Sequence, residues 1–153
     1  MNSIDAQKIL REQMEKIPVN NANGTAFYHY AFSKNPDFRQ FFKGAENQNV
    51  DEIHNSERFQ KQGTRLLTSI VVSIELMHND EVLKHYVNEI GVMKHRRFKI
   101  PFDVMKIAYT VIQGFVEKMT GEQLTDEQKE AWDVLDKQWM GHYKAKIDEL
   151  GLP

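Results

Sequence analysis

Asn55-Ser-Glu-Arg-Phe59-Gln-Lys-Gln62-Gly63-Thr-Arg65-Leu66-Leu67-Thr-Ser-Ile70-Val-Val-Ser-Ile74-Glu-Leu-Met77 contains no proline, and its apolar residues recur every third or fourth position. Phe59, Gly63, Leu66, Leu67, Ile70, Ile74 and Met77 fall on one face, as in a helix with one buried side. The same period continues towards the C-terminus. Asp80 to about His95 reads as a helix burying Leu83, Tyr86, Val87 and Ile90. A helix from Pro101 carries Met105, Ala108, Val111, Ile112, Phe115 and Met119, and Gly121 stops it. Thr125-Asp-Glu-Gln128 is a capping box, in which the hydroxyl and amide side chains satisfy each other's free backbone N–H groups. It opens a last helix with Ala131, Trp132, Leu135, Trp139, Tyr143, Ile147 and Leu150 inward.

Towards the N-terminus the period is shorter but persists. Ile4 to Ile17 forms a modest amphipathic helix, and Gly24 to Ser33 another, with Phe27, Tyr28, Ala31 and Phe32 inward. Proline suits helix starts and breaks helix interiors, so Pro36 and Pro101 read as first-turn residues. Pro36 opens a short helical turn that ends in Phe41-Phe42, and Gly44 to His54 reads as loosely ordered. Nothing alternates with period two for the length of a strand. The expected fold is all-α, about seven to eight helices, with residues 1–153 in one domain.

Composition narrows the function. A chain of 153 residues, 41% hydrophobic, has enough length for a substantial core. The absence of Cys excludes a disulfide scaffold, thiolate zinc sites, iron–sulfur clusters, Cys nucleophiles and thioether-attached haem. The net charge of -2 comes from interspersed charges, which gives no footprint for nucleic acid or an anionic membrane. No apolar run approaches the roughly 20 residues of a membrane span, and the N-terminus does not resemble a signal peptide; the expected location is cytoplasmic. HExxH, a Gly-rich phosphate loop and GxSxG are all missing, so a hydrolase or phosphotransferase has no visible equipment.

Three polar residues interrupt the apolar faces. Gln62 lies three after Phe59 and four before Leu66, in the inward stripe. A buried amide without partners costs about 1–3 kcal/mol, so Gln62 either reaches water at the stripe's edge or meets a polar ligand. Tyr28 is either core, with its hydroxyl on a backbone carbonyl, or a second group converging on that ligand. His95 ends the Asp80 helix in the run Lys94-His95-Arg96-Arg97, where cations suit a helix C-terminus, yet it falls eight after Val87, within reach of the buried face. Glu75-x-x-His78 has the spacing of di-iron bundles, but Glu75 points away from the core and no second Glu-x-x-His exists. His29, His54, His85 and His142 read as surface or capping residues.

Taken together, these features resemble the globin family, and within it the intracellular, myoglobin-like globins of nematodes. Ala26-Phe-Tyr28-His-Tyr-Ala-Phe-Ser-Lys-Asn-Pro36-Asp-Phe-Arg-Gln-Phe-Phe42 is similar to the globin B and C helices, with Phe42 at the corner position against the haem. Ser56 to Leu67 resembles the E helix, with Gln62 in the distal position and Leu66 one turn on. Lys94-His95-Arg-Arg-Phe98-Lys-Ile100-Pro101 resembles the end of F and the turn into G. The resemblance spans about Ile4 to Leu150, in the family's order and length.

This resemblance implies a globin fold around a non-covalent haem b and reversible binding of dioxygen, and also of CO and NO. It makes His95 the proximal iron ligand, with a carbonyl one turn back, at Gly91, holding its other nitrogen. Tyr28 and Gln62 would donate hydrogen bonds to the gas, a pairing that implies high affinity and slow release. Phe27, Phe32, Phe42, Phe98, Ile100 and Met105 would wall a dry pocket. Arg65 would pair a haem propionate, with Lys43 and Arg96 as further candidates. Three departures stand out. Gln in place of a distal His weakens the case for peroxide chemistry, Gly91 loosens a helix interior, and Lys94 replaces the small hydroxyl residue usual before the ligand.

The expectation is therefore an oxygen store or carrier, monomeric or homodimeric, rather than an enzyme. The alternatives are a nitric oxide dioxygenase, a weak peroxidase, a gas sensor, for whose output domain 153 residues leave no room, and a helical interaction domain without cofactor.

Overall fold

The structure, a computed structural model, describes Met1–Pro153. It is all-α: α1 Ser3–Met14, α2 Asn21–Lys34, α3 Glu57–Glu75, α4 Asp80–Phe98, α5 Phe102–Thr120 and α6 Asp126–Glu149, with 3-10 helices at Pro36–Phe41 and Val50–Asn55. Side-chain caps set most of the starts. Asn2, Asn20, Ser56, Asn79 and Thr125 each accept a backbone N–H of the first turn, and the Thr125/Gln128 box closes in both directions. Such a cap is typically worth about 1 kcal/mol.

The main core gathers Phe27, Phe32, Phe59, Leu67, Ile74, Phe115 and Trp132. Two buried amides on α1 tie it together. Gln7 Nε2 donates to the Ile74 carbonyl at 2.8 Å, and Gln13 Oε1 accepts from Trp132 Nε1 at 2.6 Å. α2 and α3 touch backbone to backbone, since a β-carbon at Gly24 would come within 2.8 Å of the Gly63 carbonyl carbon. That contact holds Tyr28, one turn after Gly24, close to Gln62, the neighbour of Gly63.

Several boundaries differ from the sequence reading. α1 stops at Met14 rather than Ile17, because Pro18 disfavours helix in the residue before it, although Ile17 stays buried. α2 begins at Asn21, three residues early, because Asn20 caps it. The Gly44–His54 stretch is better ordered than expected: Asn49 caps Val50–Asn55, which buries Ile53. Pro101 stands just outside α5 in extended backbone, whereas Pro36 does open its 3-10 helix. α4 runs on to Phe98 and ends on Lys99 in the left-handed region. Leu150, expected inward, is 41% exposed at the C-terminal cap of α6. Tyr86 and Ile90 are half-buried, not buried.

Candidate functional site

Three adjoining cavities lie among α2, α3, α4, α5 and α6. The largest, about 560 Å³, is lined from α2 by Tyr28, from α3 by Gln62, Arg65, Leu66 and Ser69, and from α4 by Tyr86, Ile90, Met93, Lys94, Arg97 and Phe98. This volume is in the range of small-molecule and cofactor sites, typically about 300–1,000 Å³. A second cavity continues between α5 and α6 past Met105, Tyr109, Trp132 and Trp139. The third runs beneath Phe27, Phe32, Phe42, Ile100 and Val104. Leu66 and Lys94 are common to all three.

The polar groups of the site are held rigidly. The Tyr28 ring is packed by Phe27, Phe32, Phe42 and Phe59 with centroids 5.1 to 5.7 Å away. Burial pushes its hydroxyl well above the ordinary tyrosine value, so it stays protonated and able to donate. Gln62 is 5% exposed, and its Oε1 is enclosed without a hydrogen-bond partner. An orphaned buried amide on a cavity wall marks a place for a polar ligand, because folding otherwise carries the desolvation cost for nothing. Gln62 is buried rather than at an exposed edge of its helix, and Tyr28 belongs to the core and also lines two cavities, with no backbone carbonyl bonded to its hydroxyl.

Of the residues the sequence singled out, Tyr28, Gln62, Arg65, Leu66, Phe42, Phe98, Ile100 and Met105 all line these cavities. His95 does not. It is buried, but its Nδ1 lies 3.3 Å from the Tyr143 hydroxyl of α6, not against the Gly91 carbonyl. The reason is Gly91, which leaves room for the Tyr143 ring and so turns this face of α4 onto α6. Gly91 thus serves close packing, and α4 continues through it unbroken.

Lys94, one residue earlier, projects into the cavities, and burial lowers its amine from the ordinary lysine value to about 8. At the mouth, exposed Arg65 is joined by exposed Arg97, which sequence reasoning passed over, while Lys43 and Arg96 line none of these three cavities. Lys94 and Arg97 could have been found by extending the spacing four and seven residues beyond Ile90. Four of the other five histidines have partners away from the cavities: His142 meets Asp80 at 2.9 Å, His29 meets Asp51 at 3.2 Å, His78 meets Gln7 at 3.0 Å and His54 meets Thr25 at 3.4 Å. Glu75 pairs with Arg11 on the surface at 2.5 Å, and no cluster of acidic and imidazole groups could hold a bare metal ion. No helix is long and apolar enough to cross a membrane.

Comparison with known proteins agrees with this architecture. Residues 25–138 match the family model described as Globin. A globin-like protein of Caenorhabditis elegans is 37% identical over 134 residues, covering 88% of this chain and 82% of its own length. A myoglobin of Ascaris suum is 33% identical, covering 86% of each chain. The crystal structure of the C. elegans globin-like protein GLB-1 superposes with a TM-score of 0.92 at 34% identity, over 100% of this chain and 98% of that one. A cavity edged by an orphaned glutamine and a caged tyrosine therefore sits in a familiar frame, and the chain is a member of the globin family.

Proposed function

We propose that this protein binds dioxygen reversibly on a non-covalent haem b, as a store or carrier in the cytoplasm. The observation that carries the reading is Gln62, whose enclosed, unpartnered amide stands beside Tyr28 on the wall of the largest cavity. The residues present suit the group. Phe42, Leu66, Phe98, Ile100 and Met105 offer apolar walls, and Arg65 and Arg97 stand where propionates would emerge. The chemistry that bound haem supplies is the iron on which a diatomic gas can be held.

The chain's own residues then tune that binding. Tyr28 Oη would donate towards the gas, and so would Gln62 with its amide oriented so that Nε2, not the unpartnered acceptor Oε1, faces the cavity; the four rings around Tyr28 hold its hydroxyl in place. Each such hydrogen bond is worth about 1–1.5 kcal/mol net, roughly tenfold in release rate. High affinity and slow release follow. Gln62 has no titratable nitrogen, so the distal side lacks a base for peroxide cleavage, which favours storage or transport over peroxidase activity. Absorption spectra of the purified chain with added haemin, in ferric, reduced, oxygenated and carbonyl forms, test the reading. A Soret band with a stable oxygenated spectrum is expected; no Soret band would end it.

A further inference from the structure

We propose that Met93 is a peroxide-sensitive modification site whose sulfoxide captures Arg97 at the mouth of the largest cavity. The chain has seven methionines. Met14, Met77 and Met140 are buried, and Met105 and Met119 are half-buried. Met93 is 56% exposed, against 41% for Met1 at the chain terminus. An exposed apolar side chain is ordinary by itself. Met93 differs from the other exposed large apolar residues, Met1, Ile4, Val19, Val82, Ile107 and Leu150, because it alone lines one of the three adjoining cavities.

The charges around it suit oxygen transfer from a peroxide. Arg65, Lys94 and Arg97 line the same cavity, and no carboxylate does. Glu89, one turn before Met93, is exposed and lines none of the three cavities. The Met93 sulfur lone pair attacks one oxygen of hydrogen peroxide, the O–O bond breaks, and the other oxygen leaves as hydroxide. That hydroxide takes the proton of the new S–OH group and departs as water. Sulfur is oxidised by two electrons and the peroxide is reduced by two, so hydrogen peroxide is the only co-reactant. Neighbouring cations favour the step by stabilising the negative charge that develops on the departing oxygen.

The product changes what the mouth can bind. A sulfoxide replaces an apolar thioether with a polar acceptor. Arg97 lies four residues on, at the spacing at which helix side chains meet. Its guanidinium sits over the Phe98 ring, 5.2 Å from the centroid, and makes no ion pair. The sulfoxide oxygen accepts from that guanidinium in a charge-assisted hydrogen bond. The consequence for the cofactor rests on the haem-binding reading above: Arg97 would otherwise serve a propionate, so oxidation weakens the hold on haem. Reduction of the sulfoxide restores the thioether and frees Arg97.

The test treats the full, cofactor-free chain with hydrogen peroxide in small excess. Peptide masses are expected to show one added oxygen at Met93 roughly tenfold faster than at Met14, Met77, Met105, Met119 or Met140. Equal rates, or a faster site among these, overturn the assignment. With 15N-arginine in the chain, the NMR signal of Arg97 Nε–H should shift on oxidation while that of Arg96 stays, and Met93→Leu should abolish the shift. No shift in the parent, or the same shift in Met93→Leu, overturns the capture of Arg97. Loaded with haemin after the peroxide is removed, the oxidised parent should release it to a haem-free acceptor protein roughly tenfold faster than the untreated parent. Peroxide treatment should leave release from Met93→Leu unchanged. Equal release from oxidised and untreated parent overturns the effect on the cofactor. If the untreated parent takes up no haemin, the haem reading falls, and the mass and NMR outcomes still decide the modification site.

Discussion

The ring of Tyr143 lies so close to Gly91 that a β-carbon there would come within 2.5 Å of Tyr143 Cδ2. This contact seats α4 against α6, where Leu83 and Val87 pack as well, while Tyr86, Ile90, Lys94 and Phe98 line the largest cavity. Gly91→Ala should therefore destabilise the chain. Overpacking costs about 1–3 kcal/mol, which outweighs a helix-propensity gain of about 1 kcal/mol. Gly141, also inside a helix, is the control, because a β-carbon there meets nothing within 4 Å. Gly141→Ala should gain about 0.5–1 kcal/mol. Urea midpoints of the two variants would show opposite shifts; equal shifts would mean that Tyr143 gives way.

Gln62 is maintained at a cost to the fold. Its Oε1 is enclosed without a partner, so Gln62→Leu removes an unsatisfied amide from the interior. The haem-free variant should be more stable by about 1–3 kcal/mol in urea, with an unchanged slope. The haem-loaded variant should release dioxygen faster. A midpoint that stays put or falls would show that the amide is already satisfied.

Asp136 offers a pH signature. Burial, with Asp133 adding to it, raises its carboxyl from 3.8 to about 6, and its Oδ1 has no hydrogen-bond partner. The folded chain thus holds this proton more tightly than the unfolded chain does. Stability from this group falls as pH rises from about 4 to about 6 and stays reduced above that. Asp136→Asn should melt at a higher temperature than the parent at pH 7 and at the same temperature near pH 4. A constant difference across this range would remove Asp136 as the cause.

Much of this architecture was written locally. The Thr125/Gln128 box, the Phe59-to-Met77 stripe and the inward positions of Tyr28 and Gln62 follow from spacings of three and four within single helices, and all of them appear in the structure. The rotation of α4 was not legible in this way. The Val87/Gly91/His95 and Ile90/Lys94/Phe98 ridges of α4 have the same period; the first is buried and the second half-buried against the cavities. Which of them faces α6 depends on Tyr143, 48 residues further along the chain from His95. Leu150 misled for a simpler reason: its spacing continues the α6 stripe, but the helix has ended and no neighbouring element covers it. The Val50–Asn55 helix was missed because its signal is a single cap, Asn49, and one buried side chain, Ile53.

The donor role of Tyr28 rests on a hydroxyl that burial keeps protonated and that four aromatic rings hold at the cavity wall. Tyr28→Phe keeps those ring contacts and deletes only the oxygen. Stopped-flow release of dioxygen from the haem-loaded parent and this variant isolates that single hydrogen bond. Release from the variant should be roughly tenfold faster, the equivalent of about 1.4 kcal/mol. An unchanged rate would contradict the proposal that Tyr28 holds the gas in this pocket.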